Sequence, residues 1–113
     1  MANPSKRKGT DGENLVVEYL RGQGFDACER RALAGKNDRG DVAGLHSTVV
    51  EVKAIVDRID LSGWLKELAV EMHNDNARFG AVWHKKRNTR NAGDWYVTMP
   101  GHVFADLLKE ALR

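Results

Sequence analysis

The run from Thr48 to Val56 limits the fold more than any other stretch of the chain. Val49-Val50-Glu51-Val52-Lys53-Ala54 alternates with the period of two that a strand imposes. One face carries Val50, Val52 and Ala54, and the other carries Glu51 and Lys53. A second acid, Asp41, opens the shorter strand-like run Asp41 to Leu45, with His46-Ser47 as the turn between them.

The remaining elements follow from periodicity and breakers. Thr10-Asp11-Gly12-Glu13 has capping-box spacing, so a helix is expected from Thr10 or Asp11. Its apolar stripe is Leu15, Val16, Tyr19 and Leu20, and Gly22 and Gly24 end it. Phe25 to Leu33 reads as a first strand, and "AGKNDRG" reads as a loop. Ser62 is the expected cap of a second helix to Asn76, burying Leu65, Leu68, Ala69 and Met72. "FGAVWH" and "DWYVTMP" read as two further strands. After Pro100-Gly101 a last helix carries Val103, Phe104, Leu107, Leu108 and Ala111. The order α-β-β-β-α-β-β-α predicts an α/β fold, a mixed sheet with helices packed against it. Residues 1–9 are expected to be a flexible basic arm, and 10–113 a single domain.

A chain of 113 residues is long enough to bury a core without disulfides. No apolar run approaches the roughly 20 residues that cross a membrane, and no secretory signal is evident. The one cysteine, Cys28, excludes an internal disulfide and a cysteine-based zinc site. These features predict a cytoplasmic protein without membrane association. The net charge is only +2, but the basic residues cluster. Lys6, Arg7 and Lys8 form one group, and Arg30, Arg31, Lys36 and Arg39 a second. Lys85, Lys86 and Arg87, with Arg90, form a third. Singly, such runs are solvated loops; three of them around an acidic strand fit a polyanion-binding face.

Glu51 and Lys53 share a strand face, and a hairpin would bring Asp41 to it. Converging carboxylates repel unless positive charge relieves them. Lys53 supplies some, and magnesium, which takes a few carboxylate oxygens and keeps several waters, would supply more. Such an ion polarises a phosphoryl oxygen and acidifies a bound water. A neighbouring lysine stabilises charge developing on phosphate. The plain alternative is a surface salt bridge on a half-exposed strand. Glu13 has two readings, a site carboxylate or the partner of Thr10 in the capping box. His84 reads as a surface histidine that could reach a phosphate. His46, His73 and His102 lack metal-ligand spacing. Trp64, Trp83 and Trp95 read as core or interface, and Cys28 as a small buried residue.

Asp41, then nine residues, then Glu51-Val52-Lys53 resembles the Asp…(Asp/Glu)-x-Lys signature of restriction-endonuclease-like PD-(D/E)XK nucleases. Within that superfamily the chain is most similar to archaeal-type Holliday-junction resolvases. Arg7-Lys8-Gly9, followed after three residues by Glu13, resembles their opening, and Gly24-Phe25 their entry to the first strand. Asn14 departs from the pattern, which has arginine there, and Arg30 lies one position late, with Glu29 at the expected place.

The resemblance implies a restriction-endonuclease-like mixed sheet and a magnesium-dependent endodeoxyribonuclease, with manganese able to substitute. It implies that Asp41, Glu51 and the Val52 carbonyl hold the metal, that Glu13 completes the acidic site, and that Lys53 assists the attacking water. It further implies a homodimer resolving branched DNA in recombination and repair, without a small-molecule cofactor, and makes a phage origin a reasonable expectation. The basic residues named above are the expected DNA contacts. Flaps, nicks or duplex ends are the alternative substrates, and a DNA-binding module with a vestigial site is the alternative class. Strand four or the last helix is the expected dimer interface.

Overall fold

The structure, a computed structural model, describes residues 4–31 and 38–113. Its elements are α1 (Pro4–Gly22), β1 (Glu29–Arg30), β2 (Val42–Ala43), β3 (Thr48–Lys53), α2 (Leu61–Asn74), β4 (Phe79–His84), β5 (Tyr96–Thr98) and α3 (Gly101–Ala111). A single 3-10 turn, Ala92–Asp94, precedes β5. The order is the expected one, and the fold is α/β.

The strands do not form one sheet. β3 pairs parallel with β4 in the register Val50↔Ala81, and β4 pairs antiparallel with β5. β1 and β2 form a separate antiparallel ribbon. The expected β2–β3 hairpin is reduced to a turn, in which the Thr48 amide donates to the Leu45 carbonyl and Ser47 has a φ of 51°. Beyond it a backbone hydrogen bond joins the β2 approach to β3, the Asp41 amide donating to the Val50 carbonyl at 2.9 Å.

Both faces of β3 are covered. On one, Val50 and Val52 pack with Val16, Val17 and Leu20 of α1, together with Cys28 and Val42. On the other, Val49 packs with Trp64 and Leu68 of α2 and with Val82. Gly12 lets α1 cross β3 closely, since a Cβ there would lie 3.0 Å from the Ala54 Cβ. That approach sets the next residue, Glu13, beside the strand.

Several boundaries differ from expectation. α1 starts at Pro4, so residues 4–9 are helical and not a flexible arm. Proline is favoured in a first helical turn, and lysine and arginine are good helix formers. Thr10 therefore lies inside the helix, and the Thr10–Glu13 capping box does not form. The first strand shrinks to two residues because the chain turns at Gly24, with the Cys28 amide donating to Phe25. Its expected end, Leu33, lies outside the described residues. The α2 cap is Asp60, accepting from the Gly63 amide, and not Ser62. The buried face of α2 is Trp64, Leu68 and Glu71, with Ala69 exposed. Of the α3 stripe only Val103 is buried.

Candidate functional site

The acids gather along the β3 edge that faces away from β4. The Val52 amide, which would otherwise seek a strand partner, donates to Asp41 Oδ2 at 2.7 Å. The Asp41 carboxylate thus takes the place of the missing ladder bond, which fixes its orientation. In a strand a residue's N–H and C=O leave the same edge, so the Val52 carbonyl also faces this side. Glu13 reaches the group from α1 and accepts from Arg30 Nε at 3.3 Å. Burial raises the Glu13 pKa, and the charge of Asp41 raises it further, against the opposing pull of Arg30.

Glu51 and Lys53 share a face as expected, with Lys53 Nζ 3.8 Å from Glu51 Oε1. That face points under α2, whose Glu67 accepts from Lys53 Nζ at 2.8 Å. Burial alone would lower the Lys53 pKa. The hydrogen bond to Glu67 and the charges of Glu51 and Asp41 outweigh it, so the pKa is raised and the ammonium persists. A persistent ammonium neutralises charge and donates hydrogen bonds, and it is a poor base.

Glu71, which the sequence did not single out, projects from α2 toward Glu51. Glu51 is 7% exposed and Glu71 2%. Burial is the main cause that raises both pKa values, to about 11 for Glu51 and about 7 for Glu71. Glu71 and Asp41 push Glu51 up further, whereas the protonated Glu51 carboxyl beside it holds Glu71 down against the charges of Asp38 and Asp41. Carboxyl oxygens of Asp38, Glu51 and Glu71 lie within 4.8 Å of one another. Asp38 was also missed, because nothing in a polar loop marks it. Glu71 carried a faint signal, since Trp64, Leu68 and Glu71 fall at the i, i+4, i+7 spacing of one helix face.

The raised Glu51 pKa has a consequence for stability. A carboxyl that keeps its proton only when folded makes the native state bind more protons than the unfolded chain. This group's contribution to stability is then fully present below pH 4.5, the ordinary glutamate value, and is lost as pH rises toward about 11. Glu51→Gln removes the ionisation and leaves an amide that can donate to Glu71. In metal-free buffer its melting temperature should exceed the wild type's by at least about 4 °C at pH 8 and match it near pH 4.5. Thermal melts across that range check this.

A groove of about 740 Å³ runs up to Lys53 and Val52. Lys8, Arg58, Lys85 and Arg87 line it, against one acid, Asp57. The loop bearing Lys85 and Arg87 is held by two indoles, with Trp83 Nε1 donating to Ala92 at 2.9 Å and Trp95 Nε1 to Thr89 at 3.0 Å. Arg58 was absent from the expected contacts, being a lone arginine outside the basic runs.

The expected DNA contacts therefore divide. Lys8, Lys85 and Arg87 line the groove, while Arg30, outside its lining, is held by Glu13. Arg7 and Lys86 are exposed outside its lining. Arg31 is half-buried, and its Nε has no partner among the described residues. Arg39 pairs with Asp75 at 3.6 Å, toward the C-terminal end of α2. Lys36 and the side chain of Lys6 lie outside the described residues.

His84 is not a surface residue. It is buried between Trp64 and Tyr96, ring centres 5.4 and 5.6 Å away, and its Nε2 bonds Thr98 Oγ1 at 2.8 Å. Its pairing with Lys53 across the ladder places it on the α2-covered face, and burial lowers its pKa. Trp64, Trp95 and Cys28 are core, as expected. No protein-family model, curated protein or solved structure matches the chain.

Proposed function

We propose that the chain is a magnesium-dependent endodeoxyribonuclease of restriction-endonuclease-like fold that cuts branched DNA. The observation that carries this reading is a single juxtaposition. Glu13, Asp41, Glu51 and Lys53 converge from α1, the β2 approach and β3, at the end of a groove lined by basic residues. Helical continuity through Thr10 supports a site role for Glu13, because it removes the capping alternative.

The residues fit a hard cation. Glu51 Oε2 is buried without a hydrogen-bond partner among the described residues, and the ligand atoms are all oxygen. Glu13, Asp41, Glu51 and the Val52 carbonyl would hold the ion. It would supply Lewis-acid polarisation of a phosphoryl oxygen and a water of lowered pKa. The chain's own groups do the rest. The Val52 amide keeps Asp41 turned to the strand edge, and Arg30 restrains Glu13. Lys53 sits at the meeting point of groove and acids, its ammonium beside the phosphate on which charge builds as water attacks and the ester bond breaks. Lys8, Arg58, Lys85 and Arg87 position the backbone of the nucleic acid.

A four-way junction presents two scissile strands, so resolving it calls for two such sites, as a two-fold dimer provides. β4 is flanked by β3 and β5 and has no free edge, which leaves the last helix as the interface. Phe104, Leu108 and Leu112 recur at i, i+4, i+8 and are 53%, 40% and 78% exposed. The test combines two measurements. With magnesium, a synthetic four-way junction should be cut and a linear duplex spared, and sedimentation at micromolar concentration should give a dimer. No cleavage of any DNA with magnesium or manganese removes the nuclease reading. Cleavage by a strict monomer transfers it to flaps or nicks.

A further inference from the structure

We propose that Asp38, Glu51 and Glu71 form a site for one hard divalent cation on the α2 side of β3. It shares only Glu51 with the site described above, and it stands whether or not the chain cuts DNA. Three observations carry it. The first is the buried Glu71 carboxyl, 2% exposed, with neither oxygen hydrogen-bonded among the described residues. Glu51 Oε2 is orphaned in the same way. A buried carboxylate without donors is among the costliest groups a fold can carry. The nearest cation among the described residues, Lys53, is 3.8 Å from the other Glu51 oxygen and donates to Glu67 at 2.8 Å, so it does not balance the cluster.

The second observation is spacing. Ligand oxygens of the three residues lie within 4.8 Å of one another. Oxygens on opposite sides of one ion stand about 4.2 Å apart around magnesium and about 4.8 Å around calcium. An all-carboxylate donor set selects magnesium, calcium or manganese over zinc or copper.

The third observation is the loop that closes the cluster. The Asp38 carbonyl accepts from Asn74 Nδ2 at 2.9 Å, one turn beyond Glu71, and Asp38 Oδ1 accepts from the Gly40 amide at 2.9 Å. Arg39 pairs with Asp75 beside them. Gly40, with φ 92°, lets the backbone pass close over the carboxylates. A Cβ there would lie 2.7 Å from Val49 Cγ1 and 3.3 Å from Glu71 Oε2. The loop thus holds the exposed Asp38 as the solvent-side ligand above two buried ones.

The rival arrangement is a proton shared by Glu51 and Glu71. Calcium and manganese, each added alone at pH 7.5, separate the two by thermal melting and titration calorimetry. The wild type should melt higher with either ion, because a ligand bound only by the native state stabilises it. Glu71→Gln should weaken binding at least tenfold, and so should Asp38→Asn, an exposed change that keeps the fold if the first does not. Glu18→Gln, at an exposed carboxylate of α1 outside both sites, should bind as the wild type does. Absence of binding by the wild type overturns the proposal in favour of the shared proton. Binding that survives both Glu71→Gln and Asp38→Asn overturns it too, and binding lost in Glu13→Gln but kept in those variants returns the ion to the nuclease site.

Discussion

On the proposed nuclease reading, Asp41→Asn should leave the fold and DNA binding intact and reduce junction cleavage at least about a hundredfold. The asparagine oxygen still accepts from the Val52 amide, the bond that stands in for a strand ladder, so the edge of β3 keeps its shape. What is lost is one negative charge facing Glu13 and Glu51. Lys53→Ala should be as damaging for the opposite reason, since it removes the ammonium where groove and acids meet. Its partner Glu67 is 54% exposed and tolerates the loss. Glu13→Gln keeps an oxygen for Arg30 and loses the charge, so it belongs with this group. Glu51→Gln is the most informative member, because it should be inactive and yet more stable than the wild type. Repulsion held in a site for function is relieved when the function is removed. Single-turnover cleavage of a labelled junction, with binding measured in parallel, checks all four. If an Asp41→Asn, Glu51→Gln double variant still cuts, the acids do not form the catalytic centre.

Much of this arrangement is legible in the sequence, for a physical reason. β4 spans the six residues expected of it, and β3 runs from its expected start, because alternation and flanking breakers are local signals. The pairing of Glu51 with Lys53 on one face follows from the same period. What local signals cannot show is which helix covers that face. Once α2 covers it, Glu71 joins Glu51 and His84 is enclosed, though Glu71 reads as one more solvated acid in "WLKELAVEMHND". The capping box fails for a related reason. Thr10 and Glu13 have the right spacing, but proline at position 4 starts the helix earlier, and the motif becomes interior. Asp38 and Arg58 are single polar residues in connecting segments. Only the folded loop ties the first to Asn74 and lays the second along the groove.

Replacing Arg58, Lys85 and Arg87 together by alanine should weaken DNA binding steeply at low salt and flatten its salt dependence. Each lysine or arginine on a phosphate releases condensed counterions, giving a slope of about 0.9 per contact on duplex DNA. Three lost contacts should therefore reduce the slope of log affinity against log salt by about 2.7. Junction and duplex should be affected alike, because phosphate contacts position a protein without reading sequence. The geometry supplies an internal control. Arg39 is paired with Asp75, outside the groove lining, so Arg39→Ala should leave the slope unchanged although it removes the same formal charge. Lys8→Ala should lower it and Arg7→Ala should not, since only the former lines the groove. Net charge alone would make the three single variants equivalent. Fluorescence-anisotropy titrations over a series of salt concentrations distinguish the two, and equal slopes for the groove triple variant and the wild type would place the nucleic acid elsewhere on the protein.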